Sequence, residues 1–468
     1  MTDRRLTAGE AFAAVLPGGR WSQDDAVVDA HRLDRSGWHP PGRPLGVAFA
    51  HTVDDVRAVL REAVARGVPV TVRGAGTGLA GGAAAPDGAV ILDLGGMNRI
   101  RELSVADAVA VVEPGVITDD LDRAARAVGL TYSPDPASSA ISTVGGNIAT
   151  NAGGLRCAKY GVTRESVLGL DVVLADGELV SSGRRTVKGV AGYDLTGLFV
   201  GSEGTLGVVV GATLRLRPAP RRTVTLAAFF DSFGAAVDAV TEIMATGIVV
   251  AMAELLDGPT MRAVDAATGS DLATSGQAFL LVQTDGAGAG DEADAVEAVL
   301  RGRARAVRRS ADTTDPAAAE LLAARRAALP ALERIGRVLI EDIAVPRSRL
   351  ARAAARIAEI GADTGVQIFT IAHAADGNLH PIIVVDRTGG AGGPAGETDE
   401  IPAEAWKAAD LIFQTALDLG GTVTGEHGIG ALKRRWLGAE LGTANHSLQQ
   451  RLRRLFDPTG ILSPGRGL

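Results

Sequence analysis

Three glycine-rich stretches, each next to a predicted strand, constrain the fold of this chain more than any other feature. Their sequences are PVTVRGAGTGLAGGA (69–83), STVGGNIATNAGGLRCAKYG (142–161) and GYDLTGLFVGSEGTLG (192–207). Backbone without side chains can approach a pyrophosphate closely, and its N–H groups can point at anionic oxygens. One such loop is common, but three in one region predict a large phosphate-bearing cofactor that lies across the backbone.

The composition excludes several classes of protein. The 468 residues carry a net charge of −8, which favours neither nucleic acid nor an anionic membrane as the main partner. The amino terminus has no apolar signal segment, and no run of about 18 uncharged apolar residues occurs, so we expect a soluble cytoplasmic protein, with any membrane association made through a partner. Cys157 is the only cysteine. An intrachain disulfide and an iron–sulfur cluster held by four thiolates of this chain are therefore excluded.

Local sequence signals predict an α+β protein. Residues 53–67 have helical apolar spacing and end in a glycine at the C-cap position. A second helix is predicted at 118–129, with Thr118 or Asp119 as its N-cap. Asp176-Gly177 predicts the turn of a β-hairpin.

A change of pattern near residue 220 predicts a second domain, in which strands alternate with alanine-rich helices. Residues 387–400 are rich in glycine and poor in apolar residues, which predicts a surface insertion. We therefore divide the chain into an amino-terminal segment (1–44), a cofactor-binding domain (45–220), a substrate or cap domain (221–420) and a carboxy-terminal segment that returns to the cofactor site (421–468).

A dinucleotide-binding fold of the Rossmann type is the first alternative for the glycine loops. Residues 76–81 satisfy the G-x-G-x-x-G spacing. That fold requires a helix to begin at the loop, inside a strand–helix–strand unit. Here Pro86, Asp87 and Gly88 signal a turn and leave little room for a helix, so we interpret the match as accidental.

Five motifs in a fixed order resemble the PCMH-type FAD domain of the vanillyl-alcohol oxidase superfamily. Within it, they are most similar to the branch of the glycolate oxidase D subunit and the D-2-hydroxyacid (D-lactate) dehydrogenases. The resemblance covers roughly residues 45–218. The motifs are R-G-x-G-T (73–77), E-P-G (113–115), the long central motif (136–161), G-Y-D (192–194) and G-S-E-G-T (201–205).

The resemblance implies a two-subdomain FAD-binding domain followed by an α+β cap, the FAD-linked oxidase C-terminal domain, with a ferredoxin-like sheet. Some members attach FAD through a histidine in the first loop. Thr77 occupies that position and 73–85 contain no histidine, so we expect non-covalent FAD. The residues that the resemblance assigns to FAD are Arg73, Gly74, Ala75, Gly76, Thr77, Gly78, Pro136, Ser138, Ser139, Gly145, Gly146, Asn147, Thr150, Asn151, Gly153, Gly154, Tyr160, Gly161, Glu203 and Gly204.

Two short motifs concentrate three of the seven histidines. A-H-A-A-D-G-N-L-H contains His373 and His380, and T-G-E-H-G-I-G contains Glu426 and His427. A single histidine in an apolar strand is more often a core residue than a ligand, but this grouping favours a site. Two imidazoles and one carboxylate leave a divalent metal with open coordination positions. The resemblance likewise implies that His373, His380 and Glu426 hold a zinc-type ion and that His427 is the base. Ala375 replaces a glycine of the family motif, which is tolerable if its φ is negative.

An arginine within LLAARRAALPAL (321–332) matches a family helix. The resemblance implies that Arg325 clamps the substrate carboxylate, and the alternative is a solvated helix face. The branch that oxidises D-2-hydroxyglutarate has a threonine and a lysine where this chain has Leu329 and Ile340. These apolar residues predict a mono-carboxylate substrate, such as glycolate, D-lactate or a longer apolar 2-hydroxy acid.

Together these features predict an FAD-dependent dehydrogenase or oxidase that converts a D-2-hydroxy acid to its 2-oxo acid by hydride transfer to flavin N5. Two alternatives stay open: a flavin oxidase of another alcohol that uses O₂, and a non-catalytic FAD-binding subunit of a larger complex. The electron acceptor is left open between a quinone, an electron-transfer flavoprotein, a cytochrome and an iron–sulfur subunit. The sequence is also compatible with a homodimer.

Overall fold

The structure, a computed structural model, describes residues 6–186, 188–310, 316–385 and 401–468. The insertion predicted at 387–400 lies outside these residues. Within the described ranges, the helices are all too short or too polar to cross a membrane.

The chain forms two compact units, and each is discontinuous in sequence. The division into four parts predicted from the sequence stays a prediction. The first unit comprises Met1–Gly154, Gly161–Ala219 and Glu426–Leu468, and the second comprises Leu155–Tyr160 and Pro220–Gly425.

The elements that precede residue 220 are mostly short. The strands are β1 (Trp21–Ser22), β2 (Gly46–Phe49), β3 (Val70–Arg73), β4 (Val90–Asp93), β5 (Ile100–Ser104), β6 (Val109–Val112), β7 (Leu130–Thr131), β8 (Val167–Val173), β9 (Leu179–Gly183), β10 (Val208–Arg215) and β11 (Arg217–Pro218). The helices are α1 (Ala8–Val15), α2 (Asp25–His31), α3 (Val53–Arg66), α4 (Thr118–Arg126), α5 (Val144–Thr150), α6 (Cys157–Tyr160), α7 (Thr163–Ser166) and α8 (Leu195–Phe199).

The first unit contains two main sheets, and each has its own apolar core. One sheet has the order β1-β2-β4-β3, in which β2, β4 and β3 are parallel. The other is antiparallel and has the order β5-β6-β10-β8-β9. Phe12 and Leu92 lie in the first core, and Leu121 and Phe199 lie in the second. This arrangement agrees with the two subdomains that the motifs predict.

The elements from residue 223 onward are longer. The strands are β12 (Thr223–Phe230), β13 (Met252–Asp257), β14 (Ala278–Asp285), β15 (Ala306–Arg309), β16 (Arg337–Ile340), β17 (Ile343–Ala344), β18 (Gln367–His373) and β19 (Asn378–Val385). The helices are α9 (Phe233–Ala245), α10 (Gly258–Thr268), α11 (Leu272–Ser275), α12 (Ala289–Arg301), α13 (Pro316–Arg326), α14 (Ala328–Ile335), a 3₁₀ turn (Arg347–Arg349), α15 (Leu350–Thr364), α16 (Ala403–Asp418) and α17 (Arg434–Phe456).

One large antiparallel sheet organises the second unit. Its order is β15-β12-β14-β13-β18-β19-β16, and β17 also pairs with β19. The strands carry continuous apolar runs because helices cover the sheet: α10 and α14 pack together, and so do α9 and α15. Ser232 and Asp257 begin α9 and α10 as N-caps, each accepting a backbone N–H with its side chain. The predicted α+β class is confirmed.

Several local predictions hold, and the Rossmann alternative is excluded. The helix predicted at 53–67 is α3, and its C-cap Gly67 has a φ of 64°. The hairpin predicted at Asp176-Gly177 joins β8 to β9. No helix occurs between residues 74 and 88, all of which the structure describes, so the first glycine loop is not the start of a strand–helix–strand unit.

One predicted helix cap is wrong, and one predicted helical segment is divided in two. Helix α4 has Ile117 as its N-cap, without a side-chain hydrogen bond. Thr118 is the first residue of the helix. Its hydroxyl does not cap the helix but donates to the carbonyl of Ser142 at 3.1 Å. The helix expected across 321–332 is two helices, α13 and α14, which meet at Ala327. Pro330 explains the break, since proline lacks the N–H that a continuous helix would use there.

Candidate active site

The first glycine-rich stretch forms an irregular loop after β3. Gly76 and Gly81 have φ values of 69° and 78°, which residues with side chains rarely adopt. Within the described parts of the chain, none of the backbone N–H groups from Gly74 to Gly82 donates to a protein acceptor. Such a row of N–H groups suits the oxygens of a diphosphate. The loop therefore fits the FAD-binding role that its sequence predicts.

In the second glycine-rich stretch, both asparagines assigned to FAD form side-chain hydrogen bonds with the protein. The amide nitrogen of Asn147 donates to Oγ1 of Thr118 at 2.6 Å. The side-chain oxygen of Asn151 accepts from the backbone N–H of Arg164 at 2.9 Å. These bonds fix the course of the backbone, so we expect FAD to contact mainly the main chain here.

Two glycines of the same stretch allow close approach by other parts of the first unit. A Cβ atom at Gly154 would overlap the carbonyl oxygen of Asp135, and a Cβ atom at Gly153 would overlap the carboxylate of Glu426. The second contact matters most, because it places the predicted metal ligand Glu426 directly beside the predicted FAD-binding motif.

The other residues assigned to FAD also lie in the first unit, with one exception. Ser139 donates its N–H to the carbonyl of Pro136 at 2.8 Å, so the Pro136–Ser139 segment forms a turn. The exception is Tyr160, which belongs to the second unit. Its hydroxyl donates to Oδ2 of Asp285 at 2.6 Å.

Glu203 holds the turn formed by residues 428–432, which follows the predicted base His427 and is called the His427 turn below. Its Oε1 accepts the N–H of Ile429 at 2.9 Å, and its Oε2 accepts the N–H of Gly430 at 2.7 Å. Glu203 has a φ of 53°, a conformation that is uncommon for a residue with a side chain. Burial raises the pKa of its carboxyl above the ordinary value, although the two N–H groups oppose that shift. The assignment of Glu203 to FAD stays a prediction, and its hydrogen bonds to Ile429 and Gly430 give it a second role.

The same turn is bonded to the first glycine loop. The carbonyl of Ala80 accepts the N–H groups of Ala431 and Leu432, at 2.8 and 3.2 Å. A Cβ atom at Gly430 would overlap that carbonyl, which explains a glycine at this position. Because Glu203 and Ala80 hold the turn from two directions, His427 lies on a segment that is fixed to the predicted FAD loop.

In the second unit, the D-G-N turn brings two predicted metal ligands together. It joins β18 to β19 and pairs Ile371 with His380, so that His373 and His380 project from the same face. Their ring centroids are 5.0 Å apart and the rings are nearly perpendicular, at 86°. Ala375 is not among the non-glycine residues for which the described parts of the chain show a positive φ, so the replaced glycine causes no strain there.

Glu254 on β13 connects His373 to Arg325 and was missed from the sequence. Its Oε1 lies 2.6 Å from Nδ1 of His373, and its Oε2 lies 2.7 Å from Nη2 of Arg325. Burial favours the neutral form of this carboxyl, but His373 and Arg325 outweigh burial and hold its pKa below the ordinary value. The available signal was a lone glutamate inside the apolar strand M-A-E-L-L-D. Arg325 is therefore not on a solvated helix face, since only 13% of its side chain is exposed.

Asp342 is a second buried carboxylate that sequence reasoning did not assign. Its Oδ1 accepts from Nδ2 of Asn378 at 2.9 Å, and its Oδ2 accepts from the hydroxyl of Thr424 at 2.8 Å. Nδ1 of His380 lies 3.8 Å from Oδ1 of Asp342. The carboxylate thus supports the turn between the two histidines and the segment that ends at Gly425.

The predicted metal ligands are divided between the two units. His373 and His380 lie together in the second, whereas Glu426 belongs to the first. There, Oε1 of Glu426 lies 3.8 Å from Nε2 of His427. The donor set, two imidazoles and one carboxylate, fits zinc chemically. Binding of a metal by these residues stays a prediction.

Comparison with known proteins confirms the resemblance seen in the glycine motifs. Residues 44–183 match the family described as FAD binding domain, and residues 219–466 match that described as FAD linked oxidases, C-terminal domain. The glycolate oxidase subunit GlcD of Bacillus subtilis is 41% identical, over 90% of this chain and 88% of that protein. A D-lactate dehydrogenase of Archaeoglobus fulgidus is 34% identical, over 94% of this chain and 95% of that protein.

Solved structures confirm the predicted fold. p-Cresol methylhydroxylase with bound substrate superposes with a TM-score of 0.77 at 19% identity, covering 98% of this chain and 96% of that one. The 4-ethylphenol oxidase from Gulosibacter chungangensis gives a TM-score of 0.74 at 19% identity, with the same coverage. At this identity, the likeness concerns the fold alone: a PCMH-type FAD-binding domain followed by an FAD-linked oxidase C-terminal domain.

Proposed function

This chain belongs to the FAD-linked oxidase family, and from that premise we propose that it oxidises a D-2-hydroxy acid to its 2-oxo acid. Relatives named glycolate oxidase and D-lactate dehydrogenase support FAD-dependent hydroxyacid oxidation at the level of the family. The substrate class is our proposal. We favour glycolate, D-lactate or a longer apolar analogue, because Leu329 and Ile340 offer no partner to a second carboxylate.

The observation that best supports this proposal is the bonding of the His427 turn to the first glycine loop. Glu203 and the carbonyl of Ala80 both accept N–H groups from that turn. A base that is fixed to the FAD-binding backbone can meet a substrate that stacks on the flavin. This attachment distinguishes His427 from a histidine that merely fills a core.

Each assigned residue has a defined task in the proposed reaction. The N–H groups from Gly74 to Gly82 would bind the diphosphate of FAD, and bound FAD would supply the acceptor for the hydride from the substrate Cα. Arg325 would bind the substrate carboxylate through paired hydrogen bonds. His427 would take the hydroxyl proton as that hydride leaves. His373, His380 and Glu426 would hold a metal, which would supply Lewis-acid chemistry.

The electrons are proposed to leave through another polypeptide. The word subunit in the name of the GlcD relatives supports an assembly of several chains. Because Cys157 is the only cysteine, this chain cannot hold a four-thiolate iron–sulfur cluster by itself.

An anaerobic screen of D- and L-2-hydroxy acids tests the proposed function directly. The purified protein is mixed with each acid without oxygen, and the absorbance of oxidised flavin is followed. We expect D-enantiomers or glycolate to bleach the band. Reduction by a simple alcohol alone would support the alternative of a flavin oxidase of another alcohol, and no reduction by any compound would support a non-catalytic subunit.

The cofactor is predicted to be FAD, bound without a covalent bond. Thr77 stands where some relatives attach the flavin through histidine, and residues 73–85 contain no histidine. The purified protein should be yellow, and acid precipitation should release free FAD into the supernatant, where chromatography identifies it. Flavin that stays with the precipitated polypeptide would contradict the non-covalent attachment.

Zinc is predicted to bind through His373, His380 and Glu426. Imidazole nitrogens with one carboxylate suit zinc better than magnesium or calcium. His380→Ala should lose about one equivalent of zinc per chain, since a site with only three protein ligands does not tolerate the loss of one. His446→Ala, on α17, is the matched control and should keep wild-type zinc. Equal metal content in wild type and His380→Ala would remove the metal from the proposal.

A further inference from the structure

Within the second unit, Glu254 contacts both a predicted substrate ligand and a predicted metal ligand. Its carboxylate is completely buried on β13. Oε1 lies 2.6 Å from Nδ1 of His373, and Oε2 lies 2.8 Å from Nε and 2.7 Å from Nη2 of Arg325. Each oxygen of the carboxylate therefore serves a different partner.

The contact with Arg325 determines which edge of the guanidinium stays available. A guanidinium can pair with carboxylates along more than one edge, because it carries five N–H groups in a fixed plane. Oε2 of Glu254 occupies the edge formed by Nε and Nη2. The edge formed by Nη1 and Nη2 is left for a second carboxylate. Glu254 thus fixes both the plane of the guanidinium and the edge that it presents.

The contact with His373 determines which ring nitrogen can bind a metal. In a neutral imidazole, one nitrogen carries the proton and the other is an acceptor. A carboxylate at 2.6 Å from Nδ1 stabilises the tautomer with the proton on Nδ1. Nε2 then keeps its lone pair, which is the form that a metal requires. Carboxylates that orient ligating histidines in this way are a common support of metal sites.

Burial of this charge is costly if its only purpose is to stabilise the fold. Replacing a buried ion pair with well-packed apolar residues is often neutral or stabilising. Leu255 and Leu256, the next residues on β13, are fully buried apolar side chains, so the strand accommodates leucine readily. A charged residue at position 254 is better explained by the two groups that it orients.

We infer that Glu254 is a positioning residue that orients two ligands at once, the guanidinium of Arg325 and the imidazole of His373. The inference rests on the proposed function, which assigns the substrate carboxylate to Arg325 and the metal to His373. It predicts that a single substitution at Glu254 weakens carboxylate binding and metal binding together, although the residue itself touches neither ligand.

The test compares Glu254→Gln with a matched control, Asp257→Asn. Asp257 is on the same strand, and its carboxylate accepts the backbone N–H groups of Thr260 and Thr370, so it supports the fold without touching Arg325 or His373. Two probes are titrated into full-length protein containing its flavin: Zn²⁺ alone, and oxalate, which has carboxylates but no hydrogen on carbon to transfer. We expect Glu254→Gln to bind each about 10–100-fold more weakly than wild type. Asp257→Asn should bind both like wild type, even if its melting temperature falls.

A second measurement separates positioning from loss of stability, because it is made on wild-type protein and does not depend on whether Glu254→Gln folds. Wild-type protein labelled with ¹⁵N-histidine is studied without metal, in alkaline buffer in which imidazole is neutral, and the His373 signals are assigned with His373→Asn. The inference requires the proton on Nδ1 and a bare Nε2. A proton on Nε2 would overturn it, as would unchanged zinc and oxalate affinities in a folded Glu254→Gln.

These outcomes also distinguish the inference from the proposed function. If wild type is reduced by 2-hydroxy acids and Glu254→Gln binds both probes normally, the proposed function stands and the inference fails. If no 2-hydroxy acid reduces the flavin, but Glu254→Gln loses both probes and His373 has its proton on Nδ1, the proposed function fails and the positioning role of Glu254 stands.

Discussion

Replacing His427 by asparagine is expected to slow reduction of the bound flavin by a factor of about 10²–10⁴, which is the usual contribution of a general base. Asparagine has a similar size and can form hydrogen bonds, but it cannot take the hydroxyl proton. The turn should keep its shape, because Glu203 and Ala80 hold it through the backbone of Ile429, Gly430, Ala431 and Leu432. The variant should therefore retain FAD at the wild-type level.

The measurement is stopped-flow reduction under anaerobic conditions, at saturating substrate, with flavin content determined on the same sample. His446→Asn is the matched control, since it makes the same chemical change on α17, outside the turn, and it should reduce at the wild-type rate. If His427→Asn is reduced nearly as fast as wild type, a group other than His427 takes the proton.

We expect kcat/KM to be roughly 10²-fold or more higher for glycolate, D-lactate or an apolar analogue than for D-2-hydroxyglutarate. Each tenfold difference corresponds to about 1.4 kcal/mol. A second carboxylate placed against Leu329 and Ile340 would lose its hydration without gaining a partner, which costs several kcal/mol. Both side chains pack against the apolar core of the second unit. That packing keeps them from making room for a charge.

Arg334, on the same helix as Leu329, is the candidate to replace the lysine that this chain lacks at position 340. Nη1 of Arg334 donates to the carbonyl of Ala267 at 2.9 Å, so part of this guanidinium is already engaged. The double variant Leu329→Thr, Ile340→Lys should raise kcat/KM for D-2-hydroxyglutarate and lower it for D-lactate. Steady-state kinetics with both acids decides the matter. A clear preference of wild type for D-2-hydroxyglutarate would show that another cation binds the second carboxylate.

Much of the fold is predictable because its signals are local. The C-cap at Gly67 and the hairpin at Asp176-Gly177 each depend on a few neighbouring residues, and both occur where predicted. The cap of α4 failed for the opposite reason. Thr118 has the right chemistry for a cap, but Ser142, distant in sequence, engages its hydroxyl first. A single sequence does not reveal such competition.

In the candidate site, too, the sequence reveals the type of each residue but not the partners that the fold gives it. The histidines are conspicuous because they are rare and grouped. Glu254 and Asp342 carry no such signal, and their importance depends on His373, Asn378 and other partners that the fold brings to them. Residues of the FAD-associated motifs also hold the fold together. Glu203 and Asn147 belong to such motifs, and both form hydrogen bonds within the protein that their sequence context does not predict.

The assignment of residues 155–160 to the second unit has a consequence for protein engineering. Nζ of Lys159 and the hydroxyl of Tyr160 each lie 2.6 Å from the carboxylate of Asp285, which is only 5% exposed. A fragment limited to 220–425 would lack both groups that bind this carboxylate, and we expect it to be less stable, since removing one partner of a buried ion pair typically costs about 3–5 kcal/mol. Chimaeras designed to exchange substrate preference between relatives should therefore transfer two segments together, 155–160 and 220–425.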